Sequence, residues 1–305
     1  MPKTHYAAID IGSNAVRLLI KRIDPEAPGR PELKKVLLLR VPLRLGFDIF
    51  RDGALSPRRA EKLRRLMKAY RQMMKIYDVA DYRACATSAM RDAANGPEVI
   101  RRIRKDCGLN IEIIDGREEA QIVYGNHLEC TADRQGDFLY VDVGGGSTEV
   151  NFLSGGELQS SVSYDIGTVR LLTGKVRPSE WKRLDEGMAE IMSRVPRANL
   201  IGSGGNINKL YRMSAVKDRE LQRLPVPALA ALRDELAPLT PDERARRYAL
   251  KDDRADVIVP AADIVLRIAR AVKADFVHVP VIGLADGLID QLWANRESRT
   301  PQRPD

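Results

Sequence analysis

The stretch Tyr6-Ala7-Ala8-Ile9-Asp10-Ile11-Gly12-Ser13-Asn14 decides the fold, because its pattern occurs twice. An apolar run ends at an aspartate, a glycine follows two positions later, and a small polar turn leads into a second run, Ala15 to Lys21. Apolar runs bounded in this way are buried strands, and the turn between them makes a hairpin. The pattern returns at Phe138-Leu139-Tyr140-Val141-Asp142-Val143-Gly144-Gly145-Gly146-Ser147, with Thr148 to Phe152 as the returning strand. In each copy a charged residue, Arg17 or Glu149, stands seven positions after the aspartate. An internal repeat implies two similar halves. The expected class is α/β, with residues 1–121 as domain I, 122–293 as domain II and 294–305 as a polar tail. A C-terminal helix at about 286–297 is expected to pack back on domain I.

The remaining elements fit that frame. Ser56 to Tyr77 is an amphipathic helix with Ser56 as N-cap and Pro57 in its first turn. Asn199 to Asn206 is a strand running into a third glycine turn, with a helix expected from Ile207. Asp253 to Val272 is expected as one long helix kinked at Pro260, and Phe276 to Ile282 as a strand.

Composition removes several classes. The 305 residues are 44% apolar and 30% charged, enough for two cores at the usual ~100–200 residues per domain. Lys plus Arg number 50 against 42 Asp plus Glu, a net charge of +8 that suits a polyanionic partner. No apolar stretch approaches the ~18 residues of a membrane helix, and the run after Met1 to His5 is broken by Asp10, unlike a signal peptide. A cytoplasmic protein without a membrane partner is expected. Cys85, Cys107 and Cys130 form no CxxC, and the three histidines form no HExxH, so thiolate zinc and histidine metallohydrolase centres are excluded. Aromatics are 5% and no basic strand interleaves them, which makes nucleic acid a poor candidate partner.

Glycine turns let backbone N–H groups close on an anion. Two such turns facing each other would grip a phosphate chain, and an aspartate beside each would suit Mg²⁺, which takes oxygen ligands and keeps waters. The commoner phosphate motifs fail: six residues separate Gly167 from Gly174, and Val176 stands where a P-loop has Ser or Thr. Ile207 stands where a dinucleotide fingerprint needs glycine. Glu118-Glu119 supplies candidate bases for activating water, although acidic residues at a helix start also complement its dipole.

Five motifs in order carry a family resemblance. They are Asp10 to Asn14 with Arg17, Ala86 to Gly96 with Arg91, Gly116 to Ala120, Asp142 to Glu149, and Gly202 to Gly205. Together they resemble the exopolyphosphatase/guanosine pentaphosphate phosphohydrolase family, over about Tyr6 to Leu292. The resemblance implies the actin-like fold, two duplicated ribonuclease H-like domains with an interdomain cleft. It also implies Mg²⁺-dependent release of orthophosphate from inorganic polyphosphate or guanosine pentaphosphate, and a possible homodimer. Glu119 matches the catalytic glutamate that activates water, with Glu118 its rival and Arg91 neutralising the transferring phosphoryl group. Asp142, Glu149 and Asp10 match the acidic residues linked to metal. Phosphate contacts fall to Gly12, Ser13, Asn14, Arg17 and Ser88; to Gly144, Gly145, Gly146, Ser147 and Thr148; and to Gly204, Gly205, Asn206 and Lys209.

Three features depart from that pattern or leave it open. No histidine is followed by aspartate, so the short two-domain branch is expected rather than the longer relatives with a His-Asp helical domain. Asn206 and Asn208 replace residues usual after the third turn, and Ala285-Asp286 stands where Arg-Glu is common. A long basic track, with Arg102, Lys105, Lys209, Arg212 and Arg254 as candidates, would favour polyphosphate; an apolar pocket near Gly204-Gly205 would favour a nucleotide. The rival readings are an actin-fold kinase, which a water-activating glutamate opposes, and a polyphosphate or alarmone sensor with weak turnover.

Overall fold

A computed structural model describes residues 4–24, 32–127, 136–280 and 283–297. The chain divides into two compact units, Met1–Asp115 with Leu284–Asp305, and Gly116–Gly283. The first unit opens with β1 (His5–Ile11), β2 (Val16–Asp24) and β3 (Glu32–Val41), then α1 (Leu45–Asp52) and α2 (Pro57–Ile76). It continues through β4 (Val79–Ala86), α3 (Ser88–Asp92), α4 (Gly96–Cys107) and β5 (Glu112–Ile113). The sheet order is β3-β2-β1-β4-β5, with β2 antiparallel to β1 and β4 parallel to it. β1 is central and its residues Tyr6 to Ile11 are all buried, as expected of a strand covered on both faces. Ser56 Oγ accepts from Arg59 N at 3.3 Å and caps α2, which buries Leu63, Met67, Tyr70 and Met74 at helical spacing.

The second unit begins with α5 (Gly116–His127), followed by β6 (Phe138–Val143), β7 (Thr148–Ser154) and β8 (Glu157–Tyr164). Then come α6 (Thr168–Leu172), α7 (Pro178–Arg194), β9 (Asn199–Ser203), α8 (Gly205–Met213), β10 (Arg223–Pro225) and α9 (Val226–Leu236). The unit closes with α10 (Pro241–Tyr248), α11 (Asp252–Ala255), α12 (Ile258–Ala271) and β11 (Phe276–His278). Its sheet order, β10-β11-β9-β6-β7-β8, contains the first sheet's order again, β6 taking the place of β1, with β10 added at one edge. One sheet face packs a large apolar core that includes Val150, Phe152, Leu184, Ile207 and Ile264.

Several boundaries differ from the sequence reading. The units divide at Asp115/Gly116 rather than at 121/122, because α5 packs on β7 and β8, and at Gly283/Leu284, because the C-terminal helix goes with the first unit as expected. The last helix, α13 (Leu284–Glu297), packs on β1, β2 and β4 of the first unit. It buries Leu288 and Ile289 completely, and Trp293 meets Tyr6 edge-on at 6.0 Å. The single helix expected over 253–272 is two helices, α11 and α12. Arg244 Nη1 donates to the Ala255 carbonyl at the break (3.0 Å), and Pro260 falls in the first turn of α12, where a missing N–H costs nothing. α8 starts at Gly205, two residues before the expected Ile207. β11 ends at His278, and Val281 and Ile282 of the expected strand lie outside the described residues. Among the described residues no helix is long and apolar enough to cross a membrane.

Candidate active site

In the second unit the turn after β6 is held from behind by α6. Gly144 N–H donates to Ser147 O at 2.9 Å and closes the turn. The Gly144 carbonyl accepts from Thr168 N (3.1 Å), the Gly145 carbonyl from Val169 N (2.7 Å) and Arg170 N (3.1 Å), and the Gly146 carbonyl from Arg170 Nε (2.7 Å). In a planar trans peptide the C=O and N–H point in opposite directions. Tying back these carbonyls therefore aims the N–H groups of Gly145, Gly146 and Ser147 away from α6. Among the described residues none of those three N–H groups has an acceptor. Successive free N–H groups of this kind form an anion nest. Close approach requires glycine at position 167, where a Cβ would lie 2.4 Å from Gly146 C and N. The flanking hydroxyl of Thr148 is buried and donates to Ile166 O at 2.5 Å, which joins β7 to the segment leading into α6.

The acidic residues lie beside this loop on one row of the sheet. Strand register places Ser203, Asp142, Glu149 and Ser163 directly across from one another on β9, β6, β7 and β8, so their side chains share a face. Ser163 Oγ donates to Glu149 Oε1 at 2.9 Å, and Glu149 is buried. Gly204 has φ of 103°, and a Cβ there would lie 2.7 Å from Asp142 Oδ1, so a glycine lets the start of α8 come up against that carboxylate. One step along β7 on the same face, Asn151 Nδ2 donates to the Ala120 carbonyl at 3.0 Å. That bond fixes α5 next to its two glutamates. Glu119 is 9% exposed and Glu118 is half-buried.

The first unit repeats the arrangement with different chemistry. Gly12 N–H donates to Ala15 O (3.2 Å), Gly46 N–H to Ser13 O (2.8 Å) and Arg44 N–H to Asn14 O (2.9 Å). The turn at residues 12–14 is thus backed by the start of α1 as the turn at 144–146 is by α6. Buried Ser13 Oγ and Ser88 Oγ are 2.9 Å apart, which ties the turn to α3. Arg17 Nη1 donates to buried Asp10 Oδ2 at 2.5 Å. Arg91 Nη1 donates to the Ile114 carbonyl at 2.8 Å. Tyr70 Oη donates to Val16 O at 3.0 Å, and burial, followed by the nearby Asp10 charge, raises the pKa of its phenol well above the usual value.

At the third glycine turn Arg254 Nη1 donates to the Gly205 carbonyl and its guanidinium lies against Gly205. Lys209 Nζ donates to Tyr248 O at 3.5 Å; burial and then the charges of Arg212 and Arg254 lower its pKa. Asn206, in the first turn of α8, is half-buried. Lys209, Arg212 and Arg254 thus form one basic group in the second unit. Arg102 and Lys105 belong to α4 of the first unit, where Arg102 Nε lies 4.0 Å from Asp106. Asp286 forms a structural ion pair with Lys21 (3.0 Å), which also meets Asp290 (3.3 Å). Gly46, Asn151 and Arg170 had no site role in the sequence reading, and Gly167 was weighed there only as a P-loop glycine. The signal available for the glycines was a third element of the repeat, Leu45-Gly46 and Ile166-Gly167, each closing the connection after a third strand.

Two copies of a five-stranded order with an antiparallel second strand are ribonuclease H-like units, and their duplication defines the actin-like fold. Solved structures agree. A Ppx/GppA family member from Aquifex aeolicus superposes with a TM-score of 0.74 at 27% identity, covering 96% of this chain and 99% of that one. An exopolyphosphatase from Cytophaga hutchinsonii shares the fold with a TM-score of 0.79 at 23% identity, covering 96% and 98%. Exopolyphosphatase 2 of Mycobacterium tuberculosis is 28% identical over 297 residues, 90% of this chain and 92% of its own. The profile of the Ppx/GppA phosphatase family matches residues 19–296, and the chain belongs to that family of hydrolases.

Proposed function

We propose that this protein is a Mg²⁺-dependent exopolyphosphatase that hydrolyses the terminal phosphoanhydride bond of inorganic polyphosphate. The supporting observation is the loop at Gly144–Ser147, whose N–H groups are aimed outward by α6 and suit a terminal phosphate. Relatives named exopolyphosphatase span nearly the whole chain. Lys209, Arg212 and Arg254, with a guanidinium against Gly205 where a base would need apolar space, favour a chain of phosphates over a nucleoside.

In this reading Glu119 accepts a proton from a water as that water attacks the terminal phosphorus. A new P–O bond forms, the bridging P–O bond breaks, and the shortened chain leaves with its electron pair. The loop N–H groups hold phosphate oxygens, and Arg91 neutralises charge on the transferring group. Such catalysis rests on positioning and electrostatics. Asp142 and Glu149 would hold Mg²⁺, which when bound would neutralise phosphate oxygens as a Lewis acid. Their row, with Ser203 and Ser163 beside them, offers only oxygen donors, which suits an ion that keeps waters and substrate oxygens. Asp10 is engaged by Arg17, so a metal role for it requires that ion pair to open. A homodimer belongs to the same reading, and sedimentation equilibrium tests it.

The test is orthophosphate release with Mg²⁺ from long-chain polyphosphate, tripolyphosphate, guanosine pentaphosphate and ATP. Release from polyphosphate is expected to fall by about 10²–10⁴-fold in Glu119→Gln, the usual contribution of a general base. Preference for guanosine pentaphosphate would assign the site to the nucleotide. No release from any of them would overturn the reading.

A further inference from the structure

We propose that Arg170 is a positioning residue of the phosphate loop, acting through the Gly146 carbonyl to aim the Ser147 N–H at substrate. The inference rests on the phosphohydrolase reading for the ligand and on geometry for the role. Each of the loop's outward N–H groups has its own anchor on the far side of its peptide. Thr168 N holds the Gly144 carbonyl and so orients the Gly145 N–H. Val169 N and Arg170 N hold the Gly145 carbonyl and orient the Gly146 N–H. The α6 backbone makes no bond to the third peptide, Gly146–Ser147; Arg170 Nε holds its carbonyl at 2.7 Å. The residue is 8% exposed, and its Nη2 also lies 3.7 Å from Asp165 Oδ1, which helps hold the guanidinium in place for this contact. A guanidinium at a backbone carbonyl is a charge-assisted bond, stronger than the amide bonds beside it.

The repeat shows that the fold does not demand this residue. Counting from the matched glycines, Arg170 lies three after Gly167, and the residue three after Gly46 is Ile49, which is 2% exposed and apolar. The first unit backs its turn with the Arg44 and Gly46 amides and with the Ser13–Ser88 contact. A buried arginine at this point is therefore specific to the loop that carries three glycines. With two flexible residues before it, the Ser147 peptide has the most freedom to turn over unless its carbonyl is held.

The test uses the full chain with Glu119→Gln, which keeps substrate from turning over, and tripolyphosphate with Mg²⁺ as the probe. In ¹⁵N-labelled protein the amides of Gly145, Gly146 and Ser147 are expected to shift downfield on titration. Arg170→Lys keeps charge and bulk but loses the Nε–H fork. It is expected to abolish the Ser147 response, retain that of Gly145, and weaken binding by about tenfold. Arg170→Met is expected to weaken binding by about 10–100-fold, with the effect in KM larger than in kcat when Glu119 is restored. A lowered melting temperature with unchanged affinity of the folded fraction would make Arg170 merely structural and overturn the inference. Equal Gly145 and Ser147 responses in Arg170→Lys would overturn it even if Arg170→Met does not fold. A parent protein that neither binds nor hydrolyses tripolyphosphate would overturn the phosphate reading along with this inference, whereas normal binding in the Arg170 variants would overturn this inference alone.

Discussion

Replacing Gly167 by alanine tests the loop from the opposite side. The added Cβ would lie 2.4 Å from Gly146 C and N and 2.5 Å from Gly145 C. Carbon contacts are normally about 3.5–4.0 Å, so the overlap is about 1 Å. The obstructing atoms are backbone, and no side chain can swing aside. Retreat by that distance would stretch the bonds from α6 to the glycine carbonyls, now 2.7–3.1 Å, past the useful limit of about 3.5 Å. A misplacement of about 1 Å typically costs about 10²-fold in rate. The expected result for Gly167→Ala is a kcat/KM for polyphosphate about 100-fold below wild type, with overpacking lowering stability by about 1–3 kcal/mol. Two controls separate loop geometry from a general glycine effect. Gly46→Ala meets Phe50 Cε2 at 2.7 Å and Ser13 Cβ at 3.1 Å; the ring can turn, so a smaller loss is expected. Gly174→Ala has open space at φ of 66°, so about 1 kcal/mol of strain and unchanged kinetics are expected. Steady-state orthophosphate release and calorimetric melting read both quantities. Gly167→Ala with wild-type kcat/KM would refute the reasoning.

Three further outcomes are expected. Lys21→Met leaves Asp286 with the longer Lys35 contact at 4.0 Å and should cost about 2 kcal/mol in urea denaturation, with Lys21→Met/Asp286→Leu recovering much of it. Burial pushes the Glu180 carboxyl upward, but Arg183 at 2.8 Å and the Asp165 N–H at 3.0 Å outweigh it and hold its pKa below the ordinary value. Its stabilisation is thus complete above the unfolded pKa of about 4.3 and lost as pH falls through the lower folded value. Glu180→Gln should be about 1–2 kcal/mol less stable than wild type at pH 7, and the gap should begin to narrow below about pH 4 and close below the folded value. Lys209→Met should raise KM for polyphosphate about tenfold at low ionic strength and less at high salt, since the attraction of a half-buried basic group for a polyanion is partly screened.

The sequence made the two hairpins legible because burial and turn chemistry write themselves into adjacent residues. Asp10-x-Gly12 and Asp142-x-Gly144 each announce a strand end and a tight return within three residues. The backing of those turns was not legible. Gly167 works by letting distant backbone approach and Gly46 by leaving room for the Phe50 ring and Ser13 Cβ, and a lone glycine after an apolar residue looks ordinary. Arg170 resembles one more surface cation in a basic chain, and only its contact with a carbonyl 24 positions away gives it a role. The two-helix structure of 252–271 was hidden for a related reason. Apolar periodicity runs through the break, which is marked by Arg244 from another helix. Asp286 appeared as a departure from a family pattern, and its ion-pair partner, Lys21, lies near the other end of the chain.

The placement of α13 has a consequence for the order in which the molecule is made. The second unit, Gly116–Gly283, is one uninterrupted length of chain, whereas the first is closed only by the helix that follows it. During vectorial synthesis β1 to β5 emerge first, yet the flank where Tyr6 and Lys21 meet Trp293, Asp286 and Asp290 stays open until the whole second unit has left the ribosome. The half that is translated second can therefore mature first, and the half that is translated first waits, with part of its central sheet uncovered, for the last helix to arrive.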